Sequence, residues 1–214
     1  MENYLKLFKN EEEYENTEKE NLPVYSHVID DVEMHRLPVI NGHEYVDLGL
    51  PSGTKWATMN VGATDVTDYG NYYKYGFGAD TYQVTSGESD YRGTENPLAA
   101  SADTAIQSWG GGWHMPTKEQ YQELVGNTTY QWVTIDGVNG AKFTAQNGNY
   151  IFFPATGFYY HDEVRLHSRG SLSYIWASTP RDNSTSWCLY VVSGAKKVDW
   201  IYRTGGYPVR PVVG

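Results

Sequence analysis

Across the C-terminal half of the chain, short runs rich in Val, Ile, Tyr, Phe and Trp alternate with clusters of Asp, Asn, Gln and Gly. Runs at 130–135, 141–145 and 150–153 are separated by Asp136-Gly137 with Asn139-Gly140 and by Gln146-Asn-Gly-Asn149. β-Branched and aromatic residues suit a pleated, half-buried surface, and Asp-Gly or Asn-Gly doublets supply the positive φ angles of tight hairpin turns. Connections this short allow only antiparallel neighbours, because a parallel crossover needs a dozen or more residues. Further runs at 173–178, 186–192 and 197–202, with a terminal strand at 207–212, continue the pattern. Upstream, strands are expected at 44–49 and 55–60, joined by a turn at Pro51-Ser-Gly-Thr54.

Helical signals are fewer. Thr117 and Gln120 form a capping box, Tyr121, Leu124 and Val125 make a buried stripe, and Gly126 ends the helix. Residues 65–75 are expected to form a second, short helix capped by Thr64 or Asp65, and 76–100 a long surface loop. Many short antiparallel strands with two helices give an α+β domain. In Trp109-Gly-Gly-Gly-Trp113 the glycines allow close backbone approach while both indoles enter the core.

The first forty residues differ in character. They hold ten acids and four bases, so they contribute −6 of the chain's net charge of −10. Residues 3–20 read as an amphipathic helix, and 23–29 with 32–37 as a hairpin turning at Asp30-Asp31. An isolated hairpin is marginal in water, so residues 1–42 are expected to dock on a larger protein or to oligomerise the chain, as a trimer. Residues 37–42 read as the junction, and 43–214 as the main domain.

Charge and cysteine usage exclude several classes. An acidic chain lacks the clustered Lys and Arg that a nucleic acid requires. A single cysteine, Cys188, excludes an internal disulfide framework and a thiolate metal cluster. No run approaches the ~20 apolar residues of a membrane span, and the N-terminus has no apolar stretch like a secretory signal. Folding in a reducing cytosol is therefore expected. Asp103, Asp162, Glu163 and the six His residues could ligate a metal, but none stands at a recognisable spacing. No cofactor is expected, a structural Ca²⁺ on loop carboxylates being the one exception the residues leave open.

From His43 onward, ordered motifs resemble a known family. Glu44-Tyr-Val-Asp-Leu-Gly-Leu-Pro-Ser-Gly-Thr-Lys-Trp-Ala-Thr-Met-Asn-Val-Gly-Ala63 is similar to the opening of the Fibrobacter succinogenes major paralogous domain, abundant in Bacteroidales. Asp68-Tyr-Gly-Asn-Tyr-Tyr-Lys-Tyr-Gly76, Trp109 to Thr117, Val138-Asn-Gly140, Gly148 to Ala155, Tyr174-Ile-Trp-Ala-Ser178 and Val209-Arg-Pro-Val212 extend the likeness. The resemblance implies a C-type lectin-like fold related to formylglycine-generating-enzyme-like domains. It also implies kinship with variable proteins of diversity-generating retroelements, in which a C-terminal segment forms the ligand-binding face. The Glu-Pro-Asn, Gln-Pro-Asp and Trp-Asn-Asp signatures of calcium-dependent sugar binding are absent. Within the head, Leu5-Lys-Leu-Phe8, Glu12-Glu-Tyr14, Asn21 to Ser26 and Val32-Glu-Met-His35 resemble N-terminal segments of Bacteroidales phage structural proteins.

The segment 174–204 has the composition of a binding surface. Tyr174, Trp176, Arg181, Asn183, Thr185, Trp187, Tyr190, Lys197, Asp199, Trp200 and Tyr202 are the candidate contact residues. Trp, Tyr and Arg dominate binding hot spots, and short polar groups adapt their hydrogen bonds to a partner. Strand alternation sends one of each neighbouring pair inward. Trp176 is expected to be buried or half-buried, and Tyr190, Trp200 and Tyr202 at least partly exposed. No nucleophile elbow or reactive thiol is legible, and Cys188 in a strand reads as an inert small hydrophobe. The expected function is non-enzymatic binding of a bacterial surface protein or glycan, from a phage tail tip. The alternatives are a secreted or surface-anchored adhesin of the same fold and a formylglycine-generating oxidase.

Overall fold

The computed structural model describes residues 37–82, 93–160 and 163–214. The helix expected at 3–20 and the hairpin at 23–37 lie outside these residues, apart from Leu37, which is in no strand. Twelve strands are assigned among the described residues: β1 (Val39–Ile40), β2 (His43–Asp47), β3 (Lys55–Ala57), β4 (Thr128–Ile135), β5 (Val138–Ala145), β6 (Tyr150–Pro154), β7 (Phe158–Tyr159), β8 (Leu166–His167), β9 (Leu172–Pro180), β10 (Thr185–Val192), β11 (Ala195–Tyr202) and β12 (Val212–Val213). Two helices, α1 (Thr104–Trp109) and α2 (Lys118–Asn127), lie between β3 and β4. The sheets run β1-β2-β3-β12, β4-β5-β6, β11-β10-β9 and β7-β8, and their strand pairs are antiparallel. The domain is α+β and mostly antiparallel.

Turn chemistry explains the hairpins. Asp136 and Gly137 both take positive φ, 46° and 80°, and close β4 on β5 with Ile135 opposite Val138. Asn41 and Gly42 do the same at 47° and 83°, so residues 37–42, expected as a junction, carry β1 instead. Asn139-Gly140 is not a turn but part of β5. A Cβ on Gly140 would stand 2.4 Å from the Phe153 carbonyl oxygen and 2.5 Å from the Phe152 ring, so the glycine serves close strand approach.

The capping box forms as expected: Thr117 Oγ1 accepts from Gln120 N, and Gln120 Oε1 accepts from Thr117 N. The helix passes Gly126 and ends at Asn127, with Thr128 as C-cap. The expected 65–75 helix is absent. Asp65 Oδ1 accepts from Thr67 N and Oγ1, Asp68 accepts from Thr64 N and Gly70 N, and Gly70 sits at φ 70°. Side chains that satisfy the backbone locally compete with a helix, and here they win. The second helix is α1, capped by Asp103, whose carboxylate also accepts from Met115 N. Asp103 is thus a buried cap rather than a metal ligand, and burial raises its pKa against these hydrogen bonds.

Two hydrophobic cores lie on opposite sides of the β9-β10-β11 sheet. Ile175, Leu189 and Val191 enter the first with Trp56, Tyr121, Leu124 and Phe153. Trp176 enters the second with Tyr73, Tyr75, Met115, Tyr207 and Val209, its indole N–H donating to the Tyr73 carbonyl at 2.9 Å. Of the Gly-rich segment's two indoles only Trp113 is buried, while Trp109 stays half-buried with His43 stacked on it at 3.7 Å. The terminal strand expected at 207–212 shrinks to Val212–Val213. Pro208 and Pro211 have no N–H to give a ladder, and the wholly buried Arg210 guanidinium holds the segment inward by donating to the carbonyls of Ala57, Thr58 and Phe152 and to Asn60 Oδ1. The chain's last turn is therefore clamped by a charged side chain bonded at every edge, as burial of a charge demands.

Candidate recognition surface

Directly opposed residues of an antiparallel pair share a face. Across β10 and β11, Trp187 opposes Trp200, Thr185 opposes Tyr202, Leu189 opposes Val198, and Val191 opposes Lys196. With Leu189 and Val191 in the first core, this whole set belongs to the α2 side. On the other side, Tyr190 opposes Lys197 and Tyr174, and Cys188 opposes Asp199 and Trp176. The candidate residues therefore do not form one surface; the sheet divides them.

Two candidates leave the surface altogether. Trp176 is 0% exposed and Thr185 3% exposed, so neither meets a ligand. Trp176 is core because β9 lies between both hydrophobic clusters. Thr185 is buried because its hydroxyl and N–H both donate to the Asp182 carboxylate, at 2.7 and 2.8 Å.

On the side away from α2, the remaining polar groups are closed on one another. Lys197 Nζ lies 2.6 Å from Asp199 Oδ2 and 5.4 Å from the centre of the Tyr190 ring. The hydrogen bond to Asp199 is the leading cause that raises the Lys197 pKa. Tyr190 packs on Tyr174 with ring centroids 4.8 Å apart, and burial first, then Tyr190, raises the Tyr174 phenol. Cys188 beneath them is fully buried, and desolvation pushes its thiol far from thiolate formation.

The α2 side is open at its loop end. Trp200 is 40% exposed and Tyr202 53%, their rings edge to face at 6.0 Å. The Arg181 guanidinium lies over Trp200, its Cζ 4.2 Å from the ring centroid. Lys118, from the first turn of α2, holds its ammonium 3.8 Å from the centre of the half-buried Trp187 ring. Cation–π contact of this kind orients a long side chain while leaving its N–H donors outward.

Residues that no composition argument singles out hold this end rigid. Asp182 accepts from Ser184 N and Oγ as well as from Thr185, so the 181–184 turn is hydrogen-bonded to itself. These bonds, Thr185's hydroxyl foremost, hold the Asp182 carboxyl well below the usual carboxylate range. Beneath, the buried Arg203 donates through Nε to the Thr185 carbonyl and Ser186 Oγ, and through Nη1 to the Gly93 carbonyl. Lys118 N donates to Thr179 Oγ1, which ties the start of α2 to the end of β9. The Asp182-Asn-Ser-Thr185 spacing of an Asx-type turn was a readable signal; Lys118 and Arg203 had none, since only packing brings them here. Asn183, at the tip of this turn, is exposed.

Elsewhere, Glu163 and His167 pair at 2.7 Å, while His161 and Asp162 lie outside the described residues. Among the described residues no group of three His, Cys, Asp or Glu side chains is placed to hold a metal ion. No helix among them is long and apolar enough to cross a membrane.

The fold and this surface together define a class: a stiff antiparallel α+β scaffold that displays aromatic rings and cations at one end of a sheet. Among known families, one described as Domain of unknown function (DUF8237) matches residues 125–212. The match takes in β4 to β11 and with them every candidate residue, but not Lys118. No curated protein and no solved structure matches the chain.

Proposed function

We propose that this protein is a non-enzymatic receptor-binding protein in which a C-type lectin-like domain, residues 43–214, engages a ligand on a bacterial surface. Its contact residues are Arg181, Asn183, Trp187, Trp200 and Tyr202. The observation that carries this reading is the exposure of Trp200 and Tyr202 on a sheet end whose loop is internally hydrogen-bonded. Large rings on a rigid frame lose little entropy on binding, which is what a recognition surface needs. The Cys188 thiol, buried and held protonated, gives an oxidase of the formylglycine-generating type no support.

Residues ahead of β1 dock this domain on a phage tail or fibre tip, where several copies raise a weak single-site affinity through avidity. The resemblance of the head to phage structural proteins and its acidic composition support this role. Binding of labelled protein to intact Bacteroidales cells tests the reading. Wild type is expected to bind, and Trp200→Ala and Tyr202→Ala to lose binding while keeping a wild-type melting temperature. Undiminished binding by both variants refutes this contact surface.

A further inference from the structure

Charge is distributed unevenly over the two sides of the β9-β10-β11 sheet. The chain carries a net −10, yet on the α2 side Lys118 and Arg181 stand over the two indoles. Lys118 has no ion pair or side-chain hydrogen bond among the described residues, and its ammonium rests on the Trp187 ring. Arg181 faces Asp182 at 3.6 Å, beyond hydrogen-bond reach, and that carboxylate is already engaged by Ser184 and Thr185. On the opposite side Lys197, itself 59% exposed, is neutralised by Asp199 at 2.6 Å. Two cations thus gather on the side where Trp200 and Tyr202 are exposed.

Their pairing narrows the ligand. Trp187 and Trp200 are direct cross-strand partners, each with one cation on its ring. Such partners stand about 5 Å apart at Cβ, so the two cation-bearing rings lie side by side on one face. A guanidinium lying over an indole keeps its N–H fork free for bidentate binding of a planar carboxylate. Exposed indole and phenol rings suit the apolar C–H faces of pyranoses. We infer that this surface takes an acidic polysaccharide whose carboxylates recur along the chain, as in a uronate polymer. Arg181 and Lys118 meet successive carboxylates, while Trp200 and Tyr202 contact the intervening ring. This inference rests on the binding surface proposed above and adds the chemistry of its ligand. An acidic protein segment is disfavoured because Trp200 and Tyr202 are the only large exposed hydrophobics on this side among the described residues, few anchors for the ~800 Å² per partner of a standard protein interface.

The test is calorimetric titration of the full chain with uronate oligosaccharides (polygalacturonate, polyguluronate and hyaluronan fragments), with their carboxyl-reduced counterparts, and with a poly-Glu peptide. At least one uronate probe is expected to bind. Carboxyl reduction is expected to weaken it tenfold or more, as is Arg181→Gln, and Lys118→Gln to weaken it less. Raising salt from low to physiological strength is expected to reduce affinity further, since the contacts are only partly buried. Failure of every uronate probe to bind, equal binding of the carboxyl-reduced forms, or equal binding of poly-Glu overturns the inference. Cell binding separates this outcome from failure of the surface itself. If Trp200→Ala abolishes cell binding while the Arg181→Gln, Lys118→Gln double variant binds as wild type, the surface stands and its acidic ligand falls.

Discussion

The two sides of the β9-β10-β11 sheet use the same residue types for opposite ends. On one, Tyr174, Tyr190, Lys197 and Asp199 stack and pair among themselves over a second hydrophobic core. On the other, Trp187, Trp200, Tyr202, Lys118 and Arg181 meet only in part, leaving ring surface and cationic donors to solvent. A Tyr or Lys in an alternating strand therefore says little about recognition until its cross-strand partner is known. The distinction lies in satisfaction: a polar group whose charge is already neutralised by a neighbour has little left to offer a ligand.

Substitutions can break this contrast, and the largest effect belongs to neither surface. Trp176→Ala removes a fully buried indole and one of the two donors to the Tyr73 carbonyl, the other being Tyr207 N. A loss of about 3–5 kcal/mol of stability is expected, read by chemical denaturation, as for other large-to-small core changes. A loss below about 1 kcal/mol would mean that the second core tolerates a cavity the size of an indole. Next comes Trp200→Ala. Cell binding is expected to fall about thirtyfold, the weight of a ~2 kcal/mol hot spot, with the melting temperature nearly unchanged. A fall in melting temperature that matches the binding loss would instead make Trp200 a structural residue.

A smaller effect is expected from Asp182→Ala, which frees the turn that carries Arg181. Binding should drop several-fold, and replacement by Asn should restore part of it, because its side-chain oxygen can still accept. The pH dependence has a definite sign. The folded carboxyl titrates below its unfolded value, so its contribution is complete at neutral pH and is lost only as pH falls through the lowered folded value. Binding measured from neutral to about pH 5, above the ordinary Asp range, should therefore be flat. A loss within that window would point to a different titrating group. Last is Tyr190→Ala, on the closed side. It should cost about 1 kcal/mol of stability through the lost Tyr174 contact and leave binding unchanged. Reduced binding at wild-type stability would bring the second side into the recognition surface.

How much of this was legible varies with the range of the cause. The Asp136-Gly137 hairpin and the Thr117–Gln120 capping box were readable because both depend on residues a few positions apart. The 65–75 helix does not form because Asp65, Asp68 and Gly70, which equally suit a helix cap, build successive Asx turns. Tertiary pairing favours the turns: Tyr73 exchanges backbone hydrogen bonds with Tyr207, which a helix through Tyr73 would not allow. Asp103 is a candidate ligand by sequence and a cap by structure, because a carboxylate's role depends on the N–H groups that face it. Those of Ile106 and Met115 come from the start of α1 and from the segment after it.

By itself the sequence determined that the domain is antiparallel and α+β, where its hairpins turn, and that its closing strands carry an unusual store of aromatic and cationic side chains. Alternation and turn chemistry are local properties, and they suffice for that much. Which of those side chains face water was decided by tertiary structure. Two cores claim opposite sides of one sheet, Arg203 bonds Thr185 and Ser186 just beyond the 181–184 turn, and α2 delivers Lys118 to Trp187 from far away in the chain. A side chain's availability to a ligand is set by what already occupies its hydrogen bonds and ring faces, and those neighbours are assembled only by packing.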